Sequence, residues 1–192
     1  MISKTDFVNA AMTQTNEQLL ASIRSMPEYT MGGKSIDAET PWGAWETTNV
    51  VNTTDDQDIC EKDITVNPGY ALSVQSHVGR GEVWQAVKGT LTALLDGELH
   101  TVPQGNSITI PRGAIHAMIN IGKEPIIVHE IQSGICREKD NTRWFDPCGG
   151  RPVTPSSDER VLRSIETVKR ELIAKNLLVS PPQADALKAK VG

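Results

Sequence analysis

Four residues in the middle of the chain have the types and spacing of a metal-ligand set. Gln75 and His77 are two positions apart, so on a β-strand their side chains leave the same face. The Gly-Arg-Gly sequence at 79–81 favours a chain reversal. Such a reversal would return Glu82 opposite His77 on an adjacent antiparallel strand.

A second histidine follows on a later strand. His116 comes just after the turn Pro111-Arg112-Gly113. If it joins the first three residues, two imidazole nitrogens, one amide oxygen and one carboxylate converge, a set that suits a borderline divalent cation such as zinc, manganese or iron. The amide of Gln75 binds metal less tightly than imidazole and could instead only form a hydrogen bond. The sequence therefore predicts one cation held by these residues: Gln75, His77, Glu82 and His116.

Both blocks resemble the two motifs of the cupin family, which are glycine-bounded hairpins that carry metal ligands. Gln75 stands where many cupins have a first histidine. Within the cupins, the Gln-x-His-x-x-Arg-x-Glu-x-Trp run at 75–84 is similar to the isomerase domain of type II mannose-6-phosphate isomerases. The resemblance covers about residues 41–151. It implies a jelly-roll β-barrel and a divalent cofactor, with zinc first and manganese, iron, cobalt or nickel as alternatives.

The resemblance also implies catalytic roles for three charged residues. Lys62 would reach a sugar phosphate from the barrel interior, although a solvent-facing charge is the alternative. Arg80 stays charged at neutral pH and pairs well with phosphate, unless it forms a salt bridge with a nearby acid. Glu130 shares a strand face with Gln132 and is the candidate general base.

The implied reaction interconverts mannose 6-phosphate and fructose 6-phosphate by moving a proton between C1 and C2. The nucleotidyltransferase domain that often precedes such isomerases does not fit in the 40 residues before the barrel, so we expect no guanylyltransferase activity. Two other functions fit the same fold: a lyase or dioxygenase acting on another small molecule, and a sugar-binding cupin without catalytic activity.

The sequence predicts that short β-strands separated by turns position these residues. Asp96-Gly97 is a strong two-residue hairpin signal. Many short strands at roughly 8–12-residue spacing are typical of a β-sandwich or barrel, so we expect an all-β core. The sequence predicts strands at 50–52, 59–66, 90–95, 98–102, 107–110, 114–121 and 125–132, and an irregular polar stretch at 136–155.

Helical patterns flank this core and suggest three segments. Residues 1–40 are predicted to form an N-terminal helical extension, residues 41–151 the barrel, and residues 152–192 a C-terminal helix and tail. Ser156 and Glu159 have the spacing of a capping box at the start of the C-terminal helix.

Composition excludes several classes of function. The net charge of −5 argues against binding to nucleic acid or to an anionic membrane, and aromatic residues at 4% are too few for a base-stacking platform. Three irregularly spaced cysteines and no signal peptide suggest a cytoplasmic protein. We expect a small sugar phosphate as the partner, and a homodimer built on sheet edges or terminal helices.

Overall fold

The computed structural model describes residues 35–36, 42–51, 58–136 and 140–174. Apart from 35–36, the predicted N-terminal helical extension lies outside the described residues. The described part contains eleven strands and one helix: β1 (Ser35–Ile36), β2 (Gly43–Val51), β3 (Asp58–Val66), β4 (Val74–His77), β5 (Arg80–Lys88), β6 (Leu91–Leu95), β7 (Glu98–Val102), β8 (Ser107–Ile110), β9 (His116–Ile119), β10 (Ile126–Gly134), β11 (Asn141–Phe145) and α1 (Glu159–Ala174).

The strands form two antiparallel sheets that pack face to face as a jelly roll. One sheet has six strands in the order β1-β2-β3-β10-β5-β8, and the other has five in the order β11-β4-β9-β6-β7. The prediction of an all-β core with a jelly-roll barrel is confirmed. The six-stranded sheet begins at residue 35, within the segment assigned from the sequence to the N-terminal extension.

The barrel interior is apolar at one end and polar at the other. Inward side chains from both sheets form the apolar end, because alternate residues of each strand point to the same face. The polar end begins at the same level on three neighbouring strands, where β10 pairs Glu130 with Lys62 of β3 and with Trp84 of β5. The main apolar residues are Trp42, Ile64, Val66, Trp84, Ala86, Leu91, Ala93, Val102, Ile110, Met118, Ile126 and Val128.

This register explains how sequence alternation builds the polar end. Lys62 shares the inward face of β3 with buried Ile64, which fits its predicted orientation. One pleat further on, Gln132 pairs with Glu82 of β5. Both residues are buried, so the polar end is desolvated and its groups must satisfy one another or a ligand.

Helix α1 covers the outer face of the five-stranded sheet. Val161, Val168 and Leu172 are buried against the sheet because they recur on one helical face. The predicted capping box is wrong: Asp158 is the N-cap, since its Oδ1 accepts a hydrogen bond from the Arg160 amide at 2.8 Å, while Ser156 Oγ accepts one from the Asp158 amide. Within the ranges described, no helix combines the length and the hydropathy needed to cross a bilayer.

A histidine between two acids lies on the outer face of the six-stranded sheet. His129 Nδ1 is 2.7 Å from Asp63 Oδ1, and its Nε2 is 3.6 Å from Glu61 Oε2. Contact with Glu61, and to a smaller extent with Asp63, raises the pKa of His129, although burial opposes this shift. The same contact with His129 lowers the pKa of Glu61.

These opposite shifts predict a pH window for the contribution of His129 to stability. Because its pKa is higher in the folded state, protonated His129 stabilises the fold, and this stabilisation is complete below the unfolded-state pKa of about 6.5. It is lost as the pH rises through the folded-state pKa. The pKa of Glu61 is lower in the folded state, so ionised Glu61 also stabilises the fold, and this stabilisation is lost as the pH falls through the folded-state pKa. We expect His129→Gln to destabilise the protein by up to about 1 kcal/mol at pH 6 and by less at pH 8.5, as measured by urea unfolding. His100→Gln serves as the control, and an equal loss at both pH values would contradict the expected window.

Candidate metal centre

Two buried histidines and a buried glutamate meet at the polar end of the barrel. Each of His77, Glu82 and His116 offers one donor atom, and these three atoms lie within 4.8 Å of one another. The His77 Nε2 atom is 3.2 Å from Glu82 Oε1, and the His116 Nε2 atom is 3.7 Å from Glu82 Oε2. The two histidines are 1% exposed and the glutamate is 3% exposed, so all three have left bulk water.

Both sheets contribute to this cluster. Gln75 on β4 is the register partner of His116 on β9, so the two side chains leave the same face of the five-stranded sheet, together with His77. The predicted pairing of His77 and Glu82 across a hairpin is wrong, because β4 and β5 lie in different sheets. The chain crosses between the sheets at 78–79, and Glu82 therefore faces the histidines across the barrel interior.

A close backbone approach fixes this crossing. The Ile135 amide donates to the Gly79 carbonyl at 3.0 Å. Gly134 has a φ of +138°, and a Cβ atom there would collide with the Gly79 carbonyl oxygen and with the Arg80 backbone. Glycine at 134 thus allows β10 to pass directly beside the residues that precede Glu82.

The hydrogen bonds of His116 prepare its Nε2 for a cation. Its Nδ1 donates to the Ala114 carbonyl at 2.9 Å, which leaves the lone pair on Nε2. This Nε2 is buried and has no hydrogen-bond partner. Burial, with further help from His77 and Arg80, lowers the pKa of His116 to about 4, so the ring is neutral at physiological pH. A buried, unpartnered lone pair beside a carboxylate is the donor that a divalent metal requires.

His77 has a similar arrangement. Its Nδ1 is 3.4 Å from the Asp140 carbonyl oxygen, and its Nε2 is 3.1 Å from Arg80 Nη2. A guanidinium group only donates, so this contact requires a neutral His77 with its lone pair on Nε2. His77 Nε2 and Glu82 Oε1 then point lone pairs at each other across 3.2 Å. A cation bound by both atoms would relieve the repulsion between these lone pairs.

Glu82 is the anionic member of the set. Burial opposes its ionisation, but interactions with His77, His116 and Arg80 hold its pKa well below the usual value. When the His77 ring is neutral, Arg80 still supplies a cation beside this carboxylate, with its Nε 3.2 Å from Oε1. The described donors, two neutral imidazoles and one carboxylate, fit a divalent metal such as zinc.

A second buried carboxylate, that of Glu130, lies next to this set. The Trp84 indole nitrogen is 3.0 Å from Glu82 Oε2 and 3.1 Å from Glu130 Oε1, and the Gln132 amide nitrogen is 2.7 Å from Glu130 Oε2. Burial and the neighbouring Glu82 raise the pKa of Glu130 to about 8 despite the opposing charges of Lys62 and Arg80. The two carboxylates are therefore held side by side by shared donors.

The basic residues of the site have different surroundings. Lys62 is half-buried on the inward face of β3, where its charge acts on Glu130. Arg80 is buried against His77 and Glu82. Arg143 on β11 donates to Ser73 Oγ at 3.0 Å.

Three residues of this site had no role assigned from the sequence. Trp84 and Gln132 could have been found from alternation, since each lies two positions after a candidate site residue on the same strand. Asp140 could not, because it depends on β11, which falls in the stretch predicted to be irregular. β11 pairs with β4 across more than sixty residues, and short-range sequence patterns carry no signal of such a pairing.

Comparison with known families gives a match to one family model. The model described as "Mannose-6-phosphate isomerase C-terminal" matches residues 33–147, which include every residue of the cluster.

Individual relatives match over the same region. The chain is 38% identical over 111 residues to the mannose-1-phosphate guanylyltransferase of Escherichia coli, a match that covers 58% of this chain and 22% of the relative. It is 32% identical over 120 residues to the alginate biosynthesis protein AlgA of Pseudomonas putida, which covers 62% of this chain and 24% of the relative. The chain thus spans about a quarter of these relatives or less. Among solved structures, an RmlC-like cupin from Shewanella frigidimarina matches with a TM-score of 0.44 and 18% identity, over 59% of this chain and 95% of that protein.

Proposed function

This chain belongs to the family of mannose-6-phosphate isomerase C-terminal domains, and we propose that it is a metal-dependent aldose–ketose isomerase of sugar phosphates. Mannose 6-phosphate and fructose 6-phosphate are the proposed pair of substrates. One observation carries the proposal: a buried metal-ligand set lies directly beside a second buried carboxylate and an inward lysine. An isomerase of this type needs these three components together, because it must polarise a carbonyl, move a proton and hold an anion.

His77, Glu82 and His116 would hold the metal, with Gln75 as the proposed fourth ligand. When bound, a divalent cation supplies Lewis-acid chemistry, which polarises the sugar carbonyl and favours loss of a proton from the adjacent carbon. The buried position of the ligands excludes bulk water from the cation and so strengthens every charge interaction at the site.

Glu130 is the proposed general base. Burial and the neighbouring Glu82 raise its pKa to about 8, so the ionised form that can act as a base increases as the pH rises through neutrality. In that form Glu130 would remove the proton from C2 of the aldose and return it to C1, so that one group serves both halves of the reaction. Trp84 and Gln132 hold this carboxylate through hydrogen bonds at 3.1 and 2.7 Å. A base held by two donors on neighbouring strands keeps one orientation, which proton transfer between adjacent carbons requires.

Lys62 and Arg80 are the proposed phosphate-binding groups. Lys62 faces the interior of the barrel on the strand next to Glu130, and Arg80 is at the crossing between the sheets. Charge-assisted contacts with the phosphate would use binding energy remote from C1 and C2 to orient the reacting carbons.

A direct assay tests this function. The purified protein, stripped of metal and then supplied separately with zinc, manganese, iron, cobalt or nickel, is incubated with mannose 6-phosphate. We expect fructose 6-phosphate to form with at least one metal, as followed by coupled oxidation of the glucose 6-phosphate derived from it. Unphosphorylated mannose is the control and should react far more slowly, because it lacks the anchoring group. Absence of turnover with every metal would reject the isomerase, and sugar-phosphate binding without turnover would indicate a binding protein instead.

A further inference from the structure

The guanidinium group of Arg80 lies where the predicted metal would bind. Its Nη2 is 3.1 Å from His77 Nε2 and its Nε is 3.2 Å from Glu82 Oε1. Zinc bonds to nitrogen and oxygen at about 2.0–2.2 Å, along the same lone pairs that face the guanidinium. Because the two groups are both cations and use the same lone pairs, they cannot bind these donors together.

Asp140 offers Arg80 a second position. Its Oδ1 accepts a hydrogen bond from the Gly79 amide at 2.8 Å, and this bond anchors the segment that precedes Arg80. Its Oδ2 is buried without a hydrogen-bond partner and lies 4.0 Å from Arg80 Nη1. A buried carboxylate oxygen without a donor is costly, so a small movement of the guanidinium towards it is favourable.

We propose that Asp140 is a positioning residue for the metal: its Oδ2 receives Arg80 when a cation binds His77 and Glu82. Arg80 therefore exchanges between the metal ligands and Asp140. This inference rests on the proposed metal site and adds to it a competing cation from the chain itself and a receptor for that cation. The strength of metal binding then depends on the side chain of a residue whose backbone carbonyl oxygen lies 3.4 Å from Nδ1 of the ligand His77.

The exchange predicts effects of opposite sign for the two residues. Arg80→Ala removes the competitor and should raise the affinity for Zn²⁺ by about tenfold. Asp140→Asn removes the group that receives Arg80 and should lower the affinity for Zn²⁺ by about tenfold. Changes to residues that surround the metal ligands typically have an effect of this size or larger. The asparagine keeps an oxygen for the Gly79 amide, so the change is confined to the atom that faces Arg80.

The double variant separates exchange from simple attraction. If Asp140 acts only by receiving Arg80, then Asp140→Asn should change the affinity by less than about twofold in the Arg80→Ala background. If Asp140 instead attracts the metal through its charge, the loss should be the same in both backgrounds, which would overturn the proposal.

The measurement is the dissociation constant for Zn²⁺, obtained by competition with a chromogenic chelator for the native chain and the three variants. Arg112→Ala, which removes an exposed charge from the turn before His116, is the control and should bind as the native chain does. Circular dichroism verifies folding, and Arg80→Met replaces the alanine variant if that variant does not fold. A native chain that binds no Zn²⁺ would refute the metal site itself. Binding that is unchanged in Asp140→Asn would refute only the exchange.

Discussion

Replacing His77 and His116 together with alanine is expected to abolish stoichiometric metal binding and to reduce isomerase turnover by on the order of 10³-fold. The two rings supply both neutral nitrogen donors of the site, and Glu82 with the proposed ligand Gln75 cannot hold a divalent cation against water. The loss of turnover follows because a bound metal contributes several kcal/mol to stabilising the charge that develops on the sugar oxygen. Elemental analysis of the purified variant gives the metal content, and the coupled assay gives the rate.

A double variant at the remaining histidines is the matched control for this experiment. His100 is on the edge strand β7, opposite Ala93, and His129 is on the outer face of β10, so replacing both removes the same number of imidazoles without changing the proposed ligands. The control should retain its metal and its turnover. A His77→Ala, His116→Ala variant that folds, as shown by its thermal unfolding, and still carries one metal per chain would disprove the ligand set.

The sequence predicts the inward-facing residues well because strand alternation is a local property. Gln75 and His77 share a face by their spacing alone, and Lys62 lies on the same face as Ile64 for the same reason. The turn signals also set most strand boundaries, and those of β7 and β8 agree with the predicted ranges 98–102 and 107–110. These features depend on neighbours within a few positions, which a single sequence records.

The prediction fails where the outcome depends on which strands become neighbours. A glycine-flanked segment such as 79–81 suits a hairpin and a crossing between sheets equally well, and only the packing against Gly134 decides between them. Glu82 reaches His77 in either case, so the proximity of His77, Glu82 and His116 was predicted although the route of the chain between them was not. The contacts of Asp140 have the same origin, since they require β11 to pair with β4 at the open edge of the sheet.

Glu130→Gln gives the second large expected effect, a fall in kcat of about 10²–10⁴-fold with little change in KM or in bound metal. Glutamine keeps the size of the side chain and one acceptor oxygen, which can serve Trp84 or Gln132 but not both, and it cannot accept a proton from carbon at neutral pH. Because Glu82 remains in place, the metal should stay bound, and this separates the variant from the double histidine variant.

The control for this change is Glu124→Gln, which removes one carboxylate from the exposed turn before β10 and should leave kcat unchanged. Steady-state kinetics with mannose 6-phosphate measure both parameters, and exchange of the C2 proton with deuterated water reports the proton transfer directly. We expect Glu130→Gln to lose this exchange together with turnover, because a single carboxylate is proposed to remove and return the proton. Exchange at the native rate in Glu130→Gln would mean that another group abstracts the proton. The role of Glu130 would then be limited to accepting hydrogen bonds from Trp84 and Gln132, which also donate to Glu82.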